Sequence, residues 1–160
     1  GLQGQDRGVR VYVRLDDPGM RAYNAPETKV TYPSKEAWAA LASTPKTLDA
    51  SLLLPCFQFV YPPGVMERVD PRTKVRYAIA KAEGTLTLEG GVLQGKVKLT
   101  DEGPDGFSYE GVFSAVLAYE GAEVRSLRGT FEARYTRYDR SKNFTREMAL
   151  TAVFESLPNP

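Results

Sequence analysis

Hydrophobic and polar residues alternate strictly near the start of the chain, in GVRVYVRL at residues 8–15. Val9, Val11, Val13 and Leu15 share one parity, and two arginines and a tyrosine occupy the other. Successive side chains of a β-strand point to opposite faces of the sheet. The pattern therefore predicts a strand with one buried and one hydrated face.

The second half of the chain repeats this alternation after glycines. The segments are GTLTL at 84–88, GKVKL at 95–99, GVFSA at 111–115 and GTFEA at 129–133. Their unequal spacing argues against a solenoid or propeller, whose units recur at a fixed period. It favours an antiparallel meander in which each glycine begins a strand and relieves crowding at a bend or bulge.

The same parity assigns two faces to this meander. The apolar positions expected to line one interior are Leu86, Leu88, Val97, Leu99, Phe113, Leu117, Phe131, Tyr135, Leu150 and Phe154. The opposite parity carries Thr85, Thr87, Lys96, Lys98, Glu132 and Arg134. We therefore predict an all-β fold, a barrel or a two-sheet sandwich of about eight to nine antiparallel strands.

One helix interrupts the strands, in SKEAWAALAS at residues 34–43. Ser34 is a suitable N-cap, Glu36 lies in the first turn, and Ala37, Trp38 and Leu41 share a side. Residues 48–61 are apolar on both parities, which predicts a strand covered on both faces, with Pro55 at an edge or bulge. VDPRTK at 69–74 predicts a turn.

The 160 residues fit a single domain, residues 1–160, because no linker-like segment divides them. Residues 1–7 are expected to be a flexible or engineered terminus. A chain of this length buries roughly 70% of the surface of its extended form, so no metal or disulfide staple is required.

The composition excludes several chemistries. The chain has no histidine and one cysteine, so it lacks an imidazole base, an imidazole-activated nucleophile and a disulfide. Cys56 has apolar neighbours and is expected to pack as a small hydrophobe. The acidic DEGPDG at 101–106 lacks the ligand spacing of an EF-hand, so neither a metal nor another cofactor is expected.

The charge pattern argues against nucleic acid as a partner. The net charge is +1, whereas nucleic-acid binders normally carry a basic excess. A local group of cations comprises Arg125, Arg128, Arg134, Arg137, Arg140 and Lys142, with Glu123, Glu132 and Asp139 beside it. Pairing of these charges across a hydrated sheet explains them adequately. The longest apolar run contains Pro55 and Gln58 and is too short to span a bilayer.

RYTRYDR at 134–140 contains the first candidate site. Counting by two from Phe131 places Tyr135 and Arg137 on the apolar side of the strand. An arginine there must reach a carboxylate, a ligand anion or the open rim, because burial of an unpaired charge is costly. A snorkelling strand end is the simpler interpretation, and a ligand anchor at the mouth of an apolar barrel is the functional one.

Aromatic and acidic residues supply two further hypotheses. Tyr12, Tyr32, Trp38 and Tyr61 could form a stacking platform, although tyrosines in a β-rich chain are more simply strand formers. We retain Trp38 with Tyr135 and Arg137 as candidate ligand-binding residues. Glu110 and Glu132 could provide the carboxylate pair of a hydrolase, which needs no histidine.

These observations rank three functions. A non-catalytic binding or interaction domain comes first, because no catalytic group of residues is visible. A carrier of a small apolar ligand, with Tyr135 and Arg137 at its mouth, comes second, and a carboxylate-based hydrolase comes third. The partner would be a protein or a small apolar molecule, and the tyrosine-rich β character favours an extracytoplasmic location, secreted or periplasmic. The sequence does not indicate the oligomeric state.

Overall fold

The computed structural model describes residues 7–16, 27–61, 69–139 and 143–158. Its strands are β1 (Val9–Asp16), β2 (Glu27–Thr31), β3 (Thr47–Asp49), β4 (Ile79–Glu83), β5 (Thr85–Glu89), β6 (Val92–Asp101), β7 (Ser108–Glu120), β8 (Glu123–Asp139) and β9 (Phe144–Ser156). Helix α1 covers Lys35–Ala42, and a 3₁₀ helix at Ala50–Leu53 leads directly into the short helix α2 at Leu54–Phe57.

The strands form one antiparallel sheet, which confirms the predicted all-β class and the meander. The strand order is β2-β1-β9-β8-β7-β6-β5-β3, with β4 also paired to β6. Strands β5 to β9 follow one another in both sequence and space, and β1 returns beside β9. Among the described residues the sheet does not close on itself, since β2 and β3 end the path at opposite edges.

Strands β4 and β5 are two parts of one bent strand beside β6. Glu83 pairs with Lys98 and Thr87 pairs with Gln94, with Gly84 at the bend between them. Gly84 has a φ of +154°, and a Cβ there would lie 2.2 Å from the carbonyl oxygen of Lys96. Only glycine permits this close approach, so the residue sets the bend.

Gly84 directly precedes β5, as predicted, but the other three glycines of the meander lie within strands, which corrects the prediction for them. Strand β7 begins before Gly111, as β6 begins before Gly95 and β8 before Gly129. A Cβ on Gly111 would lie 2.5 Å from the Phe131 ring, on the buried face. The glycine thus makes room for an aromatic ring in the core.

The buried face of the sheet contains the predicted apolar lining. Phe113, Phe131 and Phe154 each have at most 1% exposure. Leu88 is half-buried and packs against the same cluster, and the side chain of Tyr135 lies outside the described part of the chain. The predicted two-residue periodicity holds through β6 and β7 and through the described side chains from Leu127 to Arg134 and from Ala149 to Phe154.

The prediction of a strand over residues 48–61 is wrong beyond Asp49. Asp49 accepts a hydrogen bond from the backbone N–H of Ser51 at 2.9 Å and so starts the 3₁₀ helix. Pro55 lies in the first turn of α2, where a proline costs little because that N–H has no helical partner. An apolar run of this length suits a buried helix as well as a buried strand, and periodicity does not separate them.

This helical segment occupies the centre of the buried face. The ring of Phe57 is fully buried and lies 5.5, 5.6 and 5.7 Å from the rings of Phe113, Phe131 and Phe154, all in edge-to-face geometry. The Tyr109 hydroxyl donates to the Val60 carbonyl and ties the end of the segment to β7. Phe57 therefore joins β7, β8 and β9 through one side chain.

Helix α1 is confirmed where it was predicted. The Ser34 hydroxyl accepts a hydrogen bond from the Ala37 N–H at 3.1 Å, and Ala37 and Leu41 are buried. The Tyr119 hydroxyl donates to the Leu41 carbonyl at 3.0 Å, which fixes the helix end against β7.

Candidate ligand-binding groove

Two of the three residues nominated from the sequence are described only by their backbone. Tyr135 pairs with Met148 and Arg137 pairs with Arg146 in the β8–β9 ladder. The side chains of Tyr135 and Arg137 lie outside the described part of the chain. The proposed mouth of a barrel therefore stays a prediction.

Trp38, the third nominated residue, contacts Arg7 and not the groove described below. The Arg7 guanidinium lies 4.7 Å from the centroid of the half-buried Trp38 ring. Arg7 is buried and donates hydrogen bonds to the carbonyls of Val124 and Arg125. Burial lowers the pKa of Arg7, and the carboxylate of Glu123 opposes this shift. Arg7 thus ties the chain before β1 to the start of β8, and the Trp38 ring lies against its guanidinium.

The other residues of the suggested stacking platform lie in different surroundings. Tyr12 lies on the hydrated face of β1, and Tyr32 is 56% exposed after β2. Tyr61 lines a concave surface.

That surface is a groove of about 720 Å³, here called the β2 groove. It lies among β2, the segment that follows α2, and residues 69–78. Its lining residues are Glu27, Thr28, Lys29, Phe59, Tyr61, Val69, Lys74, Val75, Arg76, Ala78 and Glu102. A volume of several hundred cubic ångströms is typical of small-molecule and peptide sites.

A tight turn forms one wall of the β2 groove. A side-chain oxygen of Asp70 accepts from the N–H groups of Arg72 at 2.7 Å and Thr73 at 3.3 Å, and the Asp70 carbonyl accepts from the Lys74 N–H at 2.8 Å. An aspartate that bonds to the backbone two residues later stabilises a turn. This confirms the turn predicted from VDPRTK, and an isolated bridge between Val69 and Arg76 closes its base.

Arg76 connects all three walls. One of its terminal guanidinium nitrogens donates to both carboxylate oxygens of Glu27, at 3.0 and 3.1 Å. The guanidinium lies 4.7 Å from the centroid of the Tyr61 ring, a cation–π distance. Burial raises the pKa of the Tyr61 hydroxyl, and the positive charge of Arg76 opposes this shift. Arg76 is thus held by a β2 carboxylate and an aromatic ring at once.

Phe59 and Tyr61 form the apolar part of the groove. Their rings meet edge to face with centroids 6.4 Å apart, and the Lys29 ammonium lies 5.7 Å from the Phe59 centroid. These contacts fix the positions of the two rings and of the Lys29 side chain before a ligand binds. Such preorganisation lowers the entropy cost of binding.

The residue types of the β2 groove are ones that bind ligands. Aromatic faces bind rings and apolar chains, and lysine and arginine bind carboxylates or phosphates. Because Glu27 is bonded to Arg76 and Glu102 accepts a hydrogen bond from the Ala78 N–H at 3.1 Å, both carboxylates serve structural contacts.

A second groove, of about 560 Å³, contains the acidic pair nominated for a hydrolase. Glu110 and Glu132 both line it, together with Lys96 and Arg134, on the hydrated face of β6 to β9. Glu110 pairs with Lys98 across the β6–β7 ladder, and Arg134 bonds to Glu147 at 2.6 Å. Both nominated carboxylates are exposed. The pair shares a surface, as the hypothesis requires, but that surface is open to water.

Within the described ranges, no group of three or more histidine, cysteine, aspartate or glutamate side chains could hold a metal ion. In the same part of the chain, no helix has both the length and the apolar character needed to cross a membrane. Burial raises the pKa of the Cys56 thiol to about 12, which agrees with the interpretation of Cys56 as a packed core residue.

Sequence reasoning missed Glu27, Phe59 and Arg76 as residues of one site. In the sequence Phe59 is one position of the apolar run at residues 48–61, and Arg76 follows the turn predicted from VDPRTK. The contact between Arg76 and Glu27 joins positions 49 residues apart in the chain. No local pattern reports such a pairing.

Comparison of the chain with protein-family models, curated protein sequences and solved structures gives no match.

Proposed function

We propose that this chain is a non-catalytic binding domain and that its ligand occupies the β2 groove. The observation that carries the proposal is Arg76, held between the Glu27 carboxylate and the Tyr61 ring at 3.0 and 4.7 Å. Arg76 fixes the Tyr61 ring, so Phe59 and Tyr61 offer a ligand an apolar contact, and Lys29 and Lys74 in the same lining offer charged ones. Binding sites typically combine an apolar lining with a few placed polar groups in this way.

The packing of the core favours a surface site over an internal one. Phe57 fills the centre of the buried face among Phe113, Phe131 and Phe154, with no exposed surface. An apolar carrier would need a cavity at this position. The alternative of a carrier with Tyr135 and Arg137 at its mouth therefore ranks below the β2 groove.

The carboxylate-based hydrolase remains the third proposal. Its support is that Glu110 and Glu132 line one groove. Replacing each residue by glutamine should abolish hydrolysis of a glycoside if this proposal is right. An open sheet face excludes little water from a scissile bond, which is why we place this proposal last.

Native mass spectrometry of protein purified from its own source tests the first proposal. We expect the wild-type protein to carry a bound species that Tyr61→Ala and Arg76→Met remove. Tyr32→Ala is the matched control, because Tyr32 is an exposed tyrosine directly after β2 and is not among the lining residues of the β2 groove. Loss of the bound species in the control as well, or its retention in both groove variants, would reject the β2 groove as the site.

A further inference from the structure

Strand β2 lies along the β2 groove at one edge of the described sheet. It ends the strand order, and within the described part of the chain it pairs with β1 alone. An edge strand exposes backbone N–H and C=O groups that can pair with another strand.

The lining of the groove shows that it follows this edge. Glu27, Thr28 and Lys29 are consecutive residues of β2 and all line it. Because consecutive side chains point to opposite faces of a strand, a groove on one face would touch alternate residues only. A groove that touches three in a row runs along the backbone edge.

The charges of the groove select an acidic occupant. The lining contains three cations, Lys29, Lys74 and Arg76, and two carboxylates, Glu27 and Glu102, and Arg76 is paired with Glu27. Among the described residues Lys29 and Lys74 form no ion pair, and Lys74 is exposed in the turn. These two lysines, on β2 and on the turn, outnumber the remaining carboxylate of the lining, Glu102, and give the described lining one net positive charge.

Resting on the proposed function, we propose that the ligand is an extended peptide segment with acidic side chains, which adds to the edge of β2 as a further strand. Backbone hydrogen bonds to β2 supply affinity, as in other cases of strand addition. An apolar side chain of the peptide packs on Phe59 and Tyr61, and its acidic neighbours face Lys29 and Lys74. A small planar anion would use the rings and lysines without the strand edge.

The test uses a synthetic library of blocked heptapeptides in which acidic, basic and apolar residues vary at every position. We expect selection on the wild-type protein to enrich peptides that alternate acidic and apolar residues. Lys29→Glu should weaken binding of an enriched peptide about tenfold by reversing one charge contact. Lys46→Glu makes the same charge change on an exposed lysine beside β3, at the opposite edge of the sheet, and should leave affinity unchanged.

Backbone methylation separates strand addition from simple side-chain contact. In a strand, alternate N–H groups point to the same edge, so two peptides N-methylated on the odd or on the even residues should differ. The peptide methylated on the N–H groups that face β2 should not bind, and the peptide methylated on the alternate N–H groups should keep most of its affinity. Equal effects of the two sets, or no enrichment of acidic sequences, would overturn the peptide proposal. If Tyr61→Ala still removes a small molecule from the purified protein, the binding function stands and only its peptide ligand is wrong.

Discussion

Replacing Phe57 by alanine should be among the most destabilising single changes in this chain. The side chain is fully buried and touches three aromatic rings at centroid distances of 5.5, 5.6 and 5.7 Å. Truncation of a buried phenylalanine costs about 3–5 kcal/mol, because it loses the transfer free energy and leaves a cavity. Each aromatic pair adds about 0.5–1.5 kcal/mol beyond its buried area, so we expect the upper part of that range.

Urea unfolding followed by far-UV circular dichroism measures this loss. Phe59→Ala is the matched control, because Phe59 is half-buried on the wall of the β2 groove and should cost about 1 kcal/mol. Phe57→Leu keeps most of the volume and should cost less than about 2 kcal/mol. If Phe57→Ala costs no more than Phe59→Ala, the α2 segment does not fill the centre of the sheet and the reasoning fails.

Three further outcomes follow from named contacts. Gly111→Ala should lower the free energy of unfolding by about 2 kcal/mol or more, because its Cβ would lie 2.5 Å from the Phe131 ring. Gly121→Ala meets no atom within 4 Å and should cost about 1 kcal/mol, because its φ of +60° is unfavourable for alanine. Equal losses of stability in urea unfolding would contradict this difference. Ser34→Ala should cost about 1 kcal/mol, because the hydroxyl caps the Ala37 N–H, and Ser34→Asp should restore the stability. Burial raises the pKa of the Cys56 thiol from its ordinary 9.0 to about 12, so the thiol should resist thiol reagents until the protein unfolds. Because the folded state retains this proton, the stability from Cys56 should fall as pH rises above about 9; an identical pH profile in Cys56→Ala would argue against it.

The sequence was most informative where one physical signal determined the outcome. Strand β1 and the meander strands have one buried and one solvent-exposed face. Two-residue periodicity therefore assigns Phe113, Phe131 and Phe154 correctly to the buried face. Helix α1 was found from its cap at Ser34 and its apolar side.

Prediction failed where two structures share one pattern. The run from Ala50 to Phe57 is apolar at most positions, which fits both a buried strand and a buried helix. Pro55 was assigned to a strand edge, although the first turn of a helix accepts proline equally well. The helical outcome places Phe57 at the centre of the core.

The β2 groove was beyond sequence reasoning for a different reason. Its parts come from β2, from the end of the α2 segment and from the turn at Asp70, and they meet only through the long-range contacts of Arg76. Of the three residues that the sequence nominates, Tyr135 and Arg137 follow from parity within one strand, and Trp38 follows from its aromatic side chain alone. Local sequence patterns indicate which face of a strand or helix is buried. A site built from three separate segments can be recognised only from the tertiary structure.

A crystal structure of the protein purified from its own source tests the binding account most directly. The account predicts electron density for a ligand along the edge of β2, against the rings of Phe59 and Tyr61 and beside Arg76, with Phe57 still seated among its three aromatic neighbours. Density for a ligand inside the sheet, with Phe57 displaced from that position, would contradict it.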